Sequence, residues 1–99
     1  MLKFFTDEDF RNDLKIHNSI YVFFHSSGCI PCLEVYPKVE KFGKTTNNLL
    51  YIVPEDEGLE LQKQLNVTAF PSIVLIEDRK IKKAGLGAKE VRNIIGNEK

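Results

Sequence analysis

The chain has 99 residues, and its 14 lysines and arginines balance 14 aspartates and glutamates. That length predicts one domain, 1–99, able to bury roughly 60–70% of its unfolded surface without staples, and the ordinary apolar fraction with abundant charge excludes disorder. The even charge leaves no basic excess for a nucleic acid backbone, and the longest apolar run is too short to cross a bilayer.

In chain order, Leu2 to Phe5 is a short strand. Thr6 caps a helix whose inner stripe is Phe10 and Leu14, with an end expected near His17. Ile20-Tyr21-Val22-Phe23-Phe24 is apolar on both faces and belongs at the centre of a sheet covered on both sides. After the turn His25-Ser26-Ser27-Gly28 comes Cys29-Ile30-Pro31-Cys32. A helix follows over Leu33 to Lys44, turning Val35, Tyr36, Val39 and Phe42 inward and bent by Pro37. Leu49 to Val53 is the next strand. The acidic connection Pro54 to Gly58 reads as a solvated helix start, and it leads to a short helix marked by Leu61 and Leu65. Phe70-Pro71-Ser72 opens the strand Ile73 to Ile76. A turn at Glu77-Asp78-Arg79 returns the chain as an antiparallel edge strand, Lys80 to Ala84, whose lysines discourage edge pairing. Gly85-Leu86-Gly87 is expected to be a loop, and Val91, Ile94 and Ile95 give the last helix its buried face. The order is βαβαβαββα, an α/β fold with a mixed central sheet and helices on both faces.

The two cysteines carry the chemistry. Spaced i and i+3 near the first turn of a helix, they share one face and can close a disulfide. Amides at a helix start favour a thiolate, which lowers a cysteine pKa from about 8.5 toward neutrality. A four-residue loop restrains the unfolded chain little, so a purely structural disulfide is the poorer reading. Spacing and setting together point to thiol–disulfide exchange. A zinc site lacks support: the available ligands are Cys29, Cys32, His17 and His25, with neither a second C-x-x-C nor H-x₃₋₅-H. No metal and no bound cofactor are expected.

This element order, with Cys29-Ile30-Pro31-Cys32 after the second strand, resembles the thioredoxin family over nearly the whole chain. Proline precedes the second cysteine, as in the family's Trp-Cys-Gly-Pro-Cys. Pro37 stands where the family has its helix-bending proline. Phe70-Pro71-Ser72 falls where it has a cis-proline, and Gly85 where it has a glycine near the substrate groove. The compact size is similar to phage or archaeal members, for which a ribonucleotide reductase is one customer. Departures also occur. The tryptophan before the first cysteine is Gly28, the glycine between the cysteines is Ile30, the family's buried aspartate is Phe23, and its lysine partner falls near Ile52.

The resemblance implies a small disulfide oxidoreductase that mainly reduces protein disulfides, fed by a thioredoxin-reductase-like flavoprotein using NADPH, and acting as a monomer. Cys29, at the helix start, is the expected nucleophile, and Cys32, one turn in and shielded, resolves the mixed disulfide. Pro71 is expected to be cis, presenting the backbone of Phe70 to an extended substrate as in strand addition. Ile30, Pro31, Phe70, Pro71 and Gly85, with Leu86, are expected to form the substrate-binding rim around the disulfide. His25 could tune a thiol or relay a proton, but a half-exposed ring at a strand end is preferred because no partner is visible in the sequence. The start of the chain lacks a signal-peptide core, and the chain reads as cytoplasmic.

Two rivals stand beside this reading. A glutathione-using glutaredoxin typically has Cys-Pro-Tyr-Cys, Thr-Val-Pro and Gly-Gly-Asp where this chain has Cys-Ile-Pro-Cys, Ala-Phe-Pro and Gly-Leu-Gly-Ala. A redox-inactive binding module of the same fold is the other, and the retention of both cysteines argues against it.

Overall fold

Alternation along the central strand decides the architecture. In a computed structural model describing residues 1–97, β2 (Ser19–His25) sends Ile20, Val22 and Phe24 to one face of a sheet and Tyr21 and Phe23 to the other, and all five are buried. Residues 98 and 99, the end of the expected domain, lie outside the described residues.

The other elements are β1 (Leu2–Phe4), α1 (Asp7–Ile16), α2 (Ile30–Thr45), β3 (Leu49–Pro54), α3 (Leu59–Gln64), β4 (Ser72–Glu77), β5 (Lys80–Leu86) and α4 (Ala88–Asn97). The sheet order is β1-β3-β2-β4-β5, with β1, β3 and β2 parallel and β4 and β5 antiparallel to their neighbours. This is the mixed sheet expected from the element order, with β2 at its centre.

On one face, Phe10 and Leu14 of α1 and Leu61 of α3 pack with Val22, Phe24, Tyr51, Val53, Val74 and Ile76. On the other, Val35 and Val39 of α2 and Val91 and Ile94 of α4 pack with Tyr21, Phe23, Leu50, Ile52, Ile73 and Leu75. Each fully buried large apolar side chain contributes about 1.5–3 kcal/mol relative to exposure. Tyr36 and Phe42, expected as full core, are half-buried. Phe42 lies edge-on to Tyr21, with ring centroids 5.2 Å apart.

Local chemistry fixes the element ends. Thr6 Oγ1 accepts the Asp9 amide at 3.2 Å and caps α1. Asp13 of α1 is buried and ties that helix to the sheet: its carboxylate accepts from Lys3 Nζ at 2.8 Å and from the Tyr51 hydroxyl. Asp78 and Arg79, both at positive φ (52° and 66°), form the two-residue turn between β4 and β5, in the left-handed geometry that matches strand twist.

Three expected boundaries are corrected. The helix after the cysteines begins at Ile30 instead of Leu33, because Cys29 supplies the cap and Pro31 in the first turn needs no amide partner. Pro71 precedes β4 instead of opening it. Gly85 and Leu86 are strand, not loop, continuing the ladder as Ile73↔Gly85 and Ser72↔Leu86. Gly85 is buried under α4: a Cβ there would lie 2.8 Å from Ile94 Cδ1 and 3.1 Å from the Glu90 carbonyl oxygen. Pro37 does lie inside α2, as expected.

Candidate active site

Parallel β2 and β3 end at the same edge of the sheet, where antiparallel β4 begins and β5 finishes. The register pairs Phe24 with Ser72 and His25 with Pro54, and the Gly87 amide donates to the Pro71 carbonyl at 2.8 Å. Three chain segments thus converge there: the turn from β2 into α2, the Phe70–Pro71 segment, and the Gly85–Gly87 segment.

Gly28 adopts φ +74°, a conformation L side chains rarely take, and swings the chain from the β2 turn onto the axis of α2. Cys29 is the N-cap. Its Sγ accepts the Cys32 amide at 3.2 Å, and its carbonyl accepts the Leu33 amide at 3.2 Å. The two cysteines are joined by a disulfide with their Cα atoms 5.2 Å apart. Cys29 is half-buried at the start of α2, whereas Cys32 is 1% exposed. No acidic side chain occupies the first turn of α2, so nothing there opposes a thiolate at position 29.

The expected rim residues differ in exposure. Ile30 is 71% exposed and Pro31 is exposed, both on the first turn of α2. Phe70 is half-buried and packs against the α1–α3 core, while Pro71 is buried and its bond to Phe70 is cis. Gly85 is closed over by α4, so its side of the rim is presented by Leu86, 39% exposed. Leu86 pairs with Ser72 at the end of β5, next in the chain to the Gly87 that bonds Pro71.

The sequence did not reveal a cleft of about 410 Å³ on the β3 side of the disulfide, lined by His25, Ser26, Ser27, Gly28, Leu33, Pro54, Glu55 and Asp56. Leu33, 71% exposed, follows Cys32 and stands off the inner stripe of α2; that displacement was the only available signal. The acidic connection therefore forms one lip of this cleft as well as a helix start.

His25 is one of the residues lining the cleft. Its ring stacks on Phe23 (centroids 6.0 Å apart, 18° between planes) and meets the edge of Tyr36 at 5.3 Å. Its Nε2 is buried and has no hydrogen-bond partner among the described residues. Burial holds the imidazole below its ordinary value, and the Asp56 and Glu57 carboxylates oppose that shift without cancelling it. Burial, with Glu40 adding to it, pushes the Tyr36 phenol above its ordinary value. Phe23 and Ile52 are register partners, both buried and apolar, so no titrating pair sits between those strands. Among the described residues, no group of three or more His, Cys, Asp or Glu side chains could hold a metal ion.

Comparison with known proteins agrees with this geometry. A family model described as Thioredoxin matches residues 1–97. Thioredoxin-2 of Pyricularia oryzae is 32% identical over 72 residues, which cover 72% of this chain and 42% of that protein. Thioredoxin H2 of Arabidopsis thaliana is 32% identical over 90 residues, covering 89% and 61% respectively. The chain thus spans between 42% and 61% of the length of these curated relatives. The structure of Fasciola hepatica thioredoxin is similar with a TM-score of 0.80 at 28% identity, and all of both chains is covered.

Proposed function

Because the chain belongs to the thioredoxin family, we propose that it is a protein disulfide oxidoreductase working by dithiol–disulfide exchange through Cys29 and Cys32, mainly as a reductant. The observation that carries this reading is the asymmetry of the pair. One cysteine is half-buried at the start of a helix, and the other is buried one turn in.

The mechanism follows from that asymmetry. The Cys29 thiolate attacks one sulfur of a substrate disulfide; a new S–S bond forms and the other substrate sulfur leaves with the electron pair. Cys32 then attacks Cys29 Sγ, the bond to the substrate breaks, and the second substrate sulfur departs. The substrate gains two electrons and the protein is left with the Cys29–Cys32 disulfide. Ile30, Pro31 and Leu86 offer apolar contact to the substrate, and the backbone N–H and C=O of Phe70 offer hydrogen bonds to an extended segment.

Disulfide-bearing proteins are the proposed substrates, and a thioredoxin-reductase-like flavoprotein using NADPH is the proposed source of electrons. The proposed setting is the cytoplasm, where thiols are kept reduced. The use of both cysteines in a single site supports that setting. The protein is proposed to act as one domain and as a monomer.

Reduction of insulin in the presence of dithiothreitol tests the reading. Precipitation of the freed B chain should be accelerated by the protein and not by its Cys29→Ser variant. Equal rates with and without the protein would leave only a binding module. Turnover that depends on glutathione and glutathione reductase, with none from an NADPH-dependent thioredoxin reductase, would transfer the chain to the glutaredoxin mode.

A further inference from the structure

Resolution of the mixed disulfide requires Cys32 to lose a proton, yet its side chain is sealed at 1% exposure. Burial in apolar surroundings favours the neutral thiol, so the attack needs an acceptor close at hand. The elements around it narrow the choice. On α2, Tyr36 lies one turn beyond Cys32 on the same face, and helical side chains lean back over the preceding turn. The Tyr36 phenol is raised and stays protonated. Across the sheet, Phe23 and Ile52 are apolar. On the connection after β3, the Glu55, Asp56 and Glu57 side chains are exposed. On β2, His25 meets the edge of the Tyr36 ring, has a buried nitrogen without a hydrogen-bond partner among the described residues, and lines the cleft that Gly28 and Leu33 also line, on either side of the cysteine pair.

We infer that His25 takes up the proton released by Cys32 as Cys32 resolves the mixed disulfide, through a solvent molecule in the adjoining cleft. The inference rests on the dithiol-exchange reading and deepens it. In the step, the Cys32 S–H proton passes to His25 Nε2 while the Cys32 sulfur attacks Cys29 Sγ. The bond between Cys29 and the substrate sulfur breaks, and its electron pair leaves on that sulfur. His25 becomes an imidazolium and then returns its proton to the departing thiolate or to solvent at the cleft. A ring that is neutral at pH 7, with hydrogen on Nδ1, leaves Nε2 open for this role. The carboxylates facing the ring are Asp56 and Glu57 from the connection, with Glu55 on the same lip and Glu40 beyond Tyr36 on α2. Asp56 and Glu57 favour the imidazolium once it forms.

The test isolates the resolving step. Cys29 is converted to its mixed disulfide with thionitrobenzoate, and release of the coloured thiol by Cys32 is followed by stopped flow from pH 4.5 to 9. The wild-type rate should rise through the His25 midpoint and level off. In His25→Phe and His25→Asn, each checked for folding by circular dichroism, release at pH 7 should slow by at least about tenfold, and the lower inflection should vanish. A folded variant with the wild-type profile overturns the inference. The chain has two histidines, so an NMR titration of wild type resolves His25 with His17 as internal reference. Agreement of the His25 midpoint with the kinetic inflection supports the role even if neither variant folds, and disagreement overturns it. Wild type that releases no thionitrobenzoate would sink the dithiol-exchange reading itself, a result distinct from unaltered His25 variants.

Discussion

The Cys32 amide donates a hydrogen bond to the sulfur of Cys29 at 3.2 Å, so the residue proposed to react also caps the helix that carries its partner. When the disulfide opens, the same amide and the aligned dipoles of α2 face a sulfur that can hold negative charge. Cys29 should therefore titrate below the ordinary thiol value of about 8.5, and Cys32, buried beneath it, above that value. Alkylation by iodoacetamide across pH, with mass analysis to assign the site, separates the two. Coincident titrations at the ordinary value would remove the basis for the nucleophile assignment.

Removal of the second sulfur should arrest the cycle halfway. Cys32→Ser is expected to accumulate a mixed disulfide between Cys29 and a substrate protein, visible as a reducible band on a gel. Insulin reduction by this variant should drop to the level of dithiothreitol alone. A folded Cys32→Ser protein that never traps a substrate would reverse the roles given to the two cysteines.

Burial keeps His25 neutral in the folded chain, which links stability to pH. Its folded value lies below the unfolded 6.5, so the folded state binds fewer protons in the window between them. Its contribution is thus complete above 6.5 and is progressively lost as pH falls from 6.5 toward the folded value. The Tm of the oxidised protein should drop across that window, and His25→Phe should flatten the drop.

Asp13 governs a separate, more acidic window. Burial pushes its carboxyl up, but hydrogen bonds from Lys3 and Tyr51, with the charges of Lys3 and His17, outweigh burial and hold it below 3.8. The stability it supplies is present above 3.8 and is lost as pH falls through the lower folded value. Asp13→Asn should destabilise the protein by about 1–3 kcal/mol at pH 7, read from urea unfolding, because the Lys3 ammonium loses its partner. The variant should show little further loss on acidification through that window.

Arg79 occupies a backbone conformation better suited to glycine. Arg79→Gly would give the turn an Asp-Gly pair, the favoured sequence for this hairpin geometry, and should raise stability by about 1 kcal/mol. Chemical denaturation measures the change.

Gly85→Ala should act in the opposite sense. The added methyl would press on Ile94 and on the Glu90 carbonyl, so α4 must shift or the substitution should lose about 1–3 kcal/mol. Its effect should appear in stability before it appears in insulin reduction. A stable variant with impaired substrate affinity would instead assign Gly85 directly to the rim.

Much of this was legible because strong patterns act locally. The doubly apolar run Ile20 to Phe24 could only be a covered central strand, and Thr6 and the Asp78–Arg79 turn carry their own chemistry. Cys29, Pro31 and Cys32 define a helix start by residue type. What the sequence hid depends on contacts between distant segments. Nothing in Gly85 announces that α4 lies across it. His25 showed no partner because its neighbours, Phe23 aside, come from α2 and the connection after β3. Leu33 reads as one more helical leucine until the cleft beside it is seen.

The two hydrophobic layers meet different demands. The sheet works as a bulkhead: the redox pair, His25 and Tyr36 are anchored to the α2 layer, and the Lys3–Asp13–Tyr51 network to the α1 layer. An engineer could harden the chain against heat by reworking the α1 side while the electron-handling side keeps its settings.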